Sequence, residues 1–259
     1  MPNKHKYFLY NLFINLRLSI NFKLMLSEDI YLTSNILLNN NKLYSIDEKN
    51  RKTKITLHNW QKYLDEYGWE DFDEQWQEKL MLGKKLNRYG IIDCGGEGDC
   101  LFHCLSFAMN NGSNFQDIRN QLSEKITSEK FQELISIYQV IDDSGEFEES
   151  WDPHTITYED FKELIILGGN NYWGDSLMLN LLQQLLDVNV FVLYSNELDN
   201  TYYNYPLLNS YDKKKQTILL LYENEMHFQL IGYFSKGIMI YKFQDSEIPL
   251  EIRRLVKLR

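Results

Sequence analysis

Hydrophobic and polar positions along the chain fall into segments of different period. Between residues 55 and 86, Trp60, Tyr63, Leu64 and Tyr67 recur at helical spacing, followed by Phe72, Trp76 and Leu80 with Gly83 as a stop, which predicts two helices with aromatics facing a core. FQDIRNQLSEKI and TYEDFKELIIL read as amphipathic helices, the second with Thr157 and Asp160 in a capping-box arrangement, and DSLMLNLLQQLLD reads as a third. The apolar run VFVLY is then a buried strand by its length and β-branching, with TILLLY and HFQLIGYF as further strands, and SKG turns the chain into IMIYKF. There is no internal repeat. Helices early and strands late predict an α+β (α/β) domain with helices against a small mixed sheet.

Two stretches fit this scheme less directly. YFLYNLFINLRLSINFKLML is apolar, but Asn11, Asn15, Arg17, Asn21 and Lys23 interrupt it and no small-residue cleavage pattern follows, so a packed helix or strand pair is expected rather than a membrane span. The polar run NNNKLYSIDEKNRKTK reads as a surface loop or linker.

Composition narrows the function classes. A chain of 259 residues, 44% of them hydrophobic, is long enough for one substantial core. A formal net charge of -10 argues against nucleic acid as a partner, because phosphate affinity is supplied by lysine and arginine. The three cysteines, Cys94, Cys100 and Cys104, form an odd and tightly grouped set that does not describe a secreted disulfide framework; a reducing, cytoplasmic location is expected.

Chemistry concentrates in GGEGDCLFHC, residues 95 to 104, where a glycine loop feeds an apolar helix at Cys100. A thiol in the first turn of a helix meets unpaired backbone N–H groups and the positive end of the helix dipole, which favour a thiolate. Glycines before it let the backbone turn its N–H groups inward, as an oxyanion formed during acyl transfer requires. A structural turn with a buried thiol uses the same residues, and a phosphate loop is disfavoured by the missing lysine and hydroxyl. A base is needed for thiol chemistry. Of the five histidines, His227 opens an apolar strand just after the polar turn ENEM, which places an imidazole at the rim of the sheet. Zinc ligation by Cys94, Cys100, Cys104 and His103 fits neither paired C-x-x-C knuckles nor a helical i, i+4 pair, and neither metal nor cofactor is expected.

GEGDCLFHCL at 96 to 105, NYWGDSLMLNLLQQLLDVNVFVL at 171 to 193 and EMHFQLI at 225 to 231 resemble, in order and spacing, the three signature blocks of the ovarian tumour (OTU) family of cysteine proteases. The resemblance implies a papain-like fold and a deubiquitinase that cuts the peptide or isopeptide bond after the C-terminal glycine of ubiquitin or a ubiquitin-like modifier. It implies Cys100 as nucleophile, His227 as general base and then acid, and an oxyanion hole from the Cys100 N–H with the loop around Glu97, Gly98 and Asp99. Glu97 stands where the family has aspartate, and Gln229 where it has asparagine or aspartate; Gln229 shares a strand face with His227, so its amide oxygen is expected to orient the imidazole. Trp173 matches the middle block's tryptophan and is expected to pack beside the catalytic strand. The resemblance spans roughly residues 88 to 236. Residues 1–54 are then expected to be an N-terminal extension and linker, 55–87 a helical lead-in, 88–236 the catalytic domain, and 237–259 a C-terminal strand and basic tail. The acidic segment 141–160 is expected either to grip substrate or to be a solvated loop. An alternative reading of the departures at 97 and 229 is a catalytically weak module that binds ubiquitin or another protein.

Overall fold

The computed structural model describes residues 30–81, 87–147, 149–196, 198–205 and 210–258. The N-terminal apolar stretch and Gly83 lie outside them. The described chain is α+β, with helices packed on a mixed sheet. Its strands and helices, in chain order, are β1 (Ile30–Tyr31), β2 (Ile36–Asn39), β3 (Lys42–Ile46), β4 (Lys52–Lys54), α1 (Trp60–Leu64), β5 (Trp69–Asp71), α2 (Glu74–Met81), β6 (Tyr89–Ile92), α3 (Cys100–Met109), α4 (Phe115–Lys125), α5 (Ser128–Asp143), α6 (Tyr158–Leu167), α7 (Ser176–Leu185), β7 (Val188–Asn196), β8 (Thr201–Asn204), β9 (Gln216–Glu223), β10 (His227–Ser235), β11 (Ile238–Ile240), β12 (Lys242–Phe243) and α8 (Leu250–Leu255).

The central sheet has eight strands, larger than the sequence suggested. Its main path runs β5-β6-β10-β9-β7-β8, with β11 on β10 and β12 on β9. β7 and β9 are parallel, and every other described pair in it is antiparallel. Strands β7 and β9 carry the apolar runs Val190–Tyr194 and Ile218–Tyr222 because both faces are covered. Val190, Val192, Ile218 and Leu220 join the larger core, under the helices α3 to α7, whereas Phe191, Leu193, Leu219 and Leu221 join the smaller one, with Trp76 of α2 and Ile252 of α8. Alternate residues of a strand point to opposite faces, so each run feeds two cores.

The early aromatics do form core, with Trp60 and Trp76 fully buried. The first predicted helix is shorter than its pattern, since Tyr67 falls in a 3-10 turn closed by Gly68 at φ +86. The run expected to be a loop or linker is corrected by the structure: β2 and β3 pair as a hairpin across Asn40 and Asn41, both in the left-handed region. Asparagine tolerates that conformation, so a polar pair here is a tight hairpin turn of the kind the strand twist favours. Leu43, within that run, is fully buried in the larger core.

Candidate active site

The loop from Asp93 to Asp99 links β6 to α3, and three of its residues sit at positive φ: Gly95 at +140, Glu97 at +59 and Gly98 at +86. Asp93 Oδ1 accepts from the Gly95 N–H at 2.9 Å, and the Asp99 N–H donates to the Gly96 carbonyl at 3.1 Å. Gly98 has no alternative here, because a Cβ at that position would stand 2.1 Å from the Gly169 carbonyl oxygen. The loop delivers Cys100, 6% exposed, to the first turn of α3.

His227 opens β10 after a turn whose Asn224 and Glu225 are both left-handed, as its place after a polar turn predicted. Its Nε2 lies 3.2 Å from Asp93 Oδ1, and the Cys100 thiol is near enough to raise the ring's pKa. These neighbours push the imidazole up to about 10, the Asp93 hydrogen bond contributing most and Cys100 next, against the opposing effect of burial. The Asp93 carboxylate therefore favours the charged form of the ring.

Sheet register explains how Asp93 arrives. Ile92 pairs with Leu230, and continuing that antiparallel register puts Asp93 across from Gln229 and diagonal to His227, on the same face. Gln229 does not orient the imidazole as expected. Its Oε1 is buried without a hydrogen-bond partner, and the ring nitrogen it was expected to hold is taken by the shorter, charged Asp93. Glu97 is exposed, and its place in the loop is that of a backbone unit in the left-handed region. Asp99 flanks Cys100 as the N-cap residue without making the side-chain cap bond. Its Oδ1 instead accepts from Arg119 Nε at 2.7 Å and from the Gly169 N–H at 3.1 Å.

Trp173, 37% exposed, lies over the cysteine loop: its indole nitrogen is 3.0 Å from where a Gly98 Cβ would be. Within the acidic segment, Phe147 and Trp151 pack edge-on against each other and against Tyr138, so this part of it is anchored rather than solvated. Glu149 receives the Trp173 backbone N–H, and burial followed by the charge of Asp175 pushes it up to about 7. Cys104 is fully buried, its thiol on the Phe228 carbonyl at 3.4 Å, and burial followed by a hydrogen bond with Cys94 pushes that thiol well up. Among the described residues no group of three or more His, Cys, Asp or Glu is placed to hold a metal ion, and no helix is long and apolar enough to cross a membrane.

Two residues at the site escaped sequence reasoning. Asp93 had a signal, a carboxylate at the exit of a strand that runs into the glycine loop. Arg119 had another: it falls on the buried arc of α4 with Ile118, Leu122 and Ser123, a cation where the helical pattern wants an apolar side chain.

Residues 95–229 match the family of OTU-like cysteine proteases. Among solved structures, an OTU domain in complex with ubiquitin is 13% identical, over 65% of this chain and 84% of that one, with a TM-score of 0.38. The Hazara virus OTU bound to ubiquitin is 16% identical, over 57% of this chain and 84% of that one, with a TM-score of 0.36. An OTU deubiquitinase from Wolbachia pipientis wMel bound to ubiquitin is 16% identical, over 56% of this chain and 95% of that one, with a TM-score of 0.38. No curated protein matches the chain.

Proposed function

The chain belongs to the OTU-like cysteine proteases, and on that premise we propose that it is a thiol-dependent deubiquitinase. It hydrolyses the bond after the C-terminal glycine of ubiquitin or of a ubiquitin-like modifier. Family membership supports the substrate class, and one observation supports the mechanism: His227 is held by Asp93 at 3.2 Å, and its pKa is raised by Asp93 and by Cys100 at the start of α3.

In this reading His227 holds the proton given up by Cys100, and the sulfur attacks the glycine carbonyl carbon. Backbone N–H groups of Cys100 and of the loop at Glu97 and Gly98 receive the developing oxyanion. His227, now an imidazolium, protonates the departing lysine amine, and the C–N bond breaks to leave a Cys100 thioester. His227 then takes a proton from water as the water oxygen attacks the thioester carbon, the C–S bond breaks, and the modifier leaves with a free C-terminal carboxyl group, restoring the sulfur of Cys100 beside protonated His227. Asp93 is a positioning residue: it fixes the ring through Nε2 and stabilises its charge. It supplies the carboxylate whose absence at position 229 gave the weaker, binding-only reading its basis. No cofactor is required by any step. The net charge of -10 complements a basic modifier surface and acts chiefly on association rate.

The test is a ubiquitin probe carrying a C-terminal electrophile, followed by a panel of di-ubiquitins with wild type and Cys100→Ala. A Cys100 adduct and cleavage lost in Cys100→Ala are expected. A folded protein that binds ubiquitin, forms no adduct and is unaffected by Cys100→Ala overturns the enzymatic reading.

A further inference from the structure

Arg119 of α4 is fully buried, stacked on the Phe102 ring with its guanidinium 3.8 Å from the ring centre. Such a charge is expensive to bury unless each donor finds an acceptor. Here the acceptors all belong to the walls of the cysteine loop. Arg119 Nε donates to Asp99 Oδ1 at 2.7 Å, Nη1 to the Ile165 carbonyl at 3.0 Å, and Nη2 to the Gly98 carbonyl at 3.3 Å and the Tyr172 carbonyl at 3.1 Å. Nη2 also forms an ion pair with Asp99 Oδ1. One side chain thus ties the two residues before Cys100 to the end of α6 and to the chain just before Trp173. Asp99 completes the tie by accepting from the Gly169 N–H.

The clamp adds to the loop's own two hydrogen bonds, Gly95 N–H to Asp93 and Asp99 N–H to the Gly96 carbonyl. Glu97 is a non-glycine residue at φ +59, a conformation that is unfavourable by about 1 kcal/mol and persists only where its surroundings enforce it. The Gly98 carbonyl is held by Arg119 and the Asp99 N–H by the Gly96 carbonyl, so the Gly98–Asp99 peptide plane, which lies between the Gly98 and Cys100 N–H groups, is fixed at both ends. None of the Arg119 bonds reaches Asp93 or His227.

We infer that Arg119 is a positioning residue for transition-state stabilisation: it sets the backbone N–H groups that receive the oxyanion, and it does so independently of the nucleophile and base. This rests on the reading of Cys100 as nucleophile. It implies that loss of the guanidinium separates two reactions of the same sulfur. Alkylation by iodoacetamide displaces iodide from carbon and forms no oxyanion. Acylation by p-nitrophenyl acetate does form one: sulfur bonds to the acyl carbon, the thiol proton goes to His227, and the tetrahedral oxyanion collapses with release of p-nitrophenolate.

The experiment measures both rates at Cys100 in the full chain for wild type, Arg119→Lys and the double variant Asp99→Asn/Arg119→Gln. The double variant removes both charges of the pair, so no lone ion stays buried. Circular dichroism melting reports the fold of each. In a folded variant, acylation is expected to fall on the order of 10²-fold, the effect of losing one oxyanion donor, while alkylation stays within about 2-fold of wild type. Both rates falling together, acylation unchanged, or neither variant folding would overturn the inference, because Arg119 would then be structural only. Wild type that is acylated by the ester but leaves ubiquitin conjugates uncut overturns the deubiquitinase reading alone, since neither small reagent needs ubiquitin.

Discussion

Asp93 and His227, 134 residues apart in sequence, meet at 3.2 Å between Oδ1 and Nε2, and this pair, rather than His227 with Gln229, holds the imidazole. Asp93→Asn keeps the shape and loses the charge. It is expected to lower kcat for a ubiquitin-derived fluorogenic amide by roughly 10²-fold with KM little changed, the effect of a lost imidazole-orienting carboxylate.

Gln229→Met should behave oppositely. The Gln229 carbonyl oxygen is buried without a partner, and replacing an unpaired polar group by an apolar one of similar size is neutral or stabilising. Activity within about 2-fold of wild type and an unchanged or higher Tm are expected. A loss of kcat comparable to that of Asp93→Asn would return the orienting role to position 229.

The pH dependence follows from the same pair. The folded-state pKa of His227 is raised from 6.5 to about 10, first by Asp93 and then by Cys100. A raised base stabilises the folded protein fully below its unfolded value and loses that contribution as pH rises through the folded value. The Tm difference between wild type and Asp93→Asn should therefore be widest below about pH 6.5 and close progressively toward pH 10. The alkaline limb of Cys100 alkylation should shift to lower pH in Asp93→Asn. Because the imidazole is partly open to solvent, the stability effect is small and both shifts shrink at high salt.

How legible this site was depends on the range of the interaction. Cys100 and His227 were readable as candidates from their local settings, a thiol at a loop-to-helix junction and an imidazole at the head of an apolar strand, and the family resemblance singled them out. Asp93 was not, because its role exists only once β6 and β10 are in register, and a one-residue slip would turn it to the other face. Gln229 shared the correct face with His227, but sharing a face does not decide which side chain makes the bond. The buried strands of the sheet were legible from their unbroken apolar runs. Strands β3 and β4 were not, since Leu43 is the only fully buried residue in that polar run and the turn is built by asparagines in a conformation that composition does not reveal.

Gly98→Ala should be among the most damaging single changes at the site. The added methyl would stand 2.1 Å from the Gly169 carbonyl oxygen, and φ is +86, so the loop must move whatever space is found. A loss of roughly 2 kcal/mol or more of stability is expected, with probe labelling of Cys100 reduced by more than 10-fold at a temperature where the variant is folded. Gly96→Ala is the control, since nothing lies within 4 Å of the corresponding position. Equal effects of the two would mean that the approach of the loop to Gly169 is unimportant.

Tyr138→Phe tests how the second wall of the site is held. The Tyr138 hydroxyl, deeply buried, donates to Asp175 Oδ2 at 2.6 Å, and Asp175 in turn caps α7 by accepting from the Met178 N–H at 2.8 Å. Burial raises the Asp175 carboxyl above its usual 3.8, and the Tyr138 hydrogen bond is the strongest influence in the other direction. An acid whose folded pKa is raised loses stability as pH climbs above its unfolded value. Removing the hydroxyl raises that pKa further and so deepens the loss. Tyr138→Phe is therefore expected to destabilise by about 1–3 kcal/mol near neutral pH, with the Tm gap to wild type growing as pH rises from 4 and then levelling once the carboxyl is ionised in both proteins. A gap that stays flat across that range would assign the hydroxyl's contribution to its contact with Tyr172, 3.0 Å away, and not to the Asp175 charge.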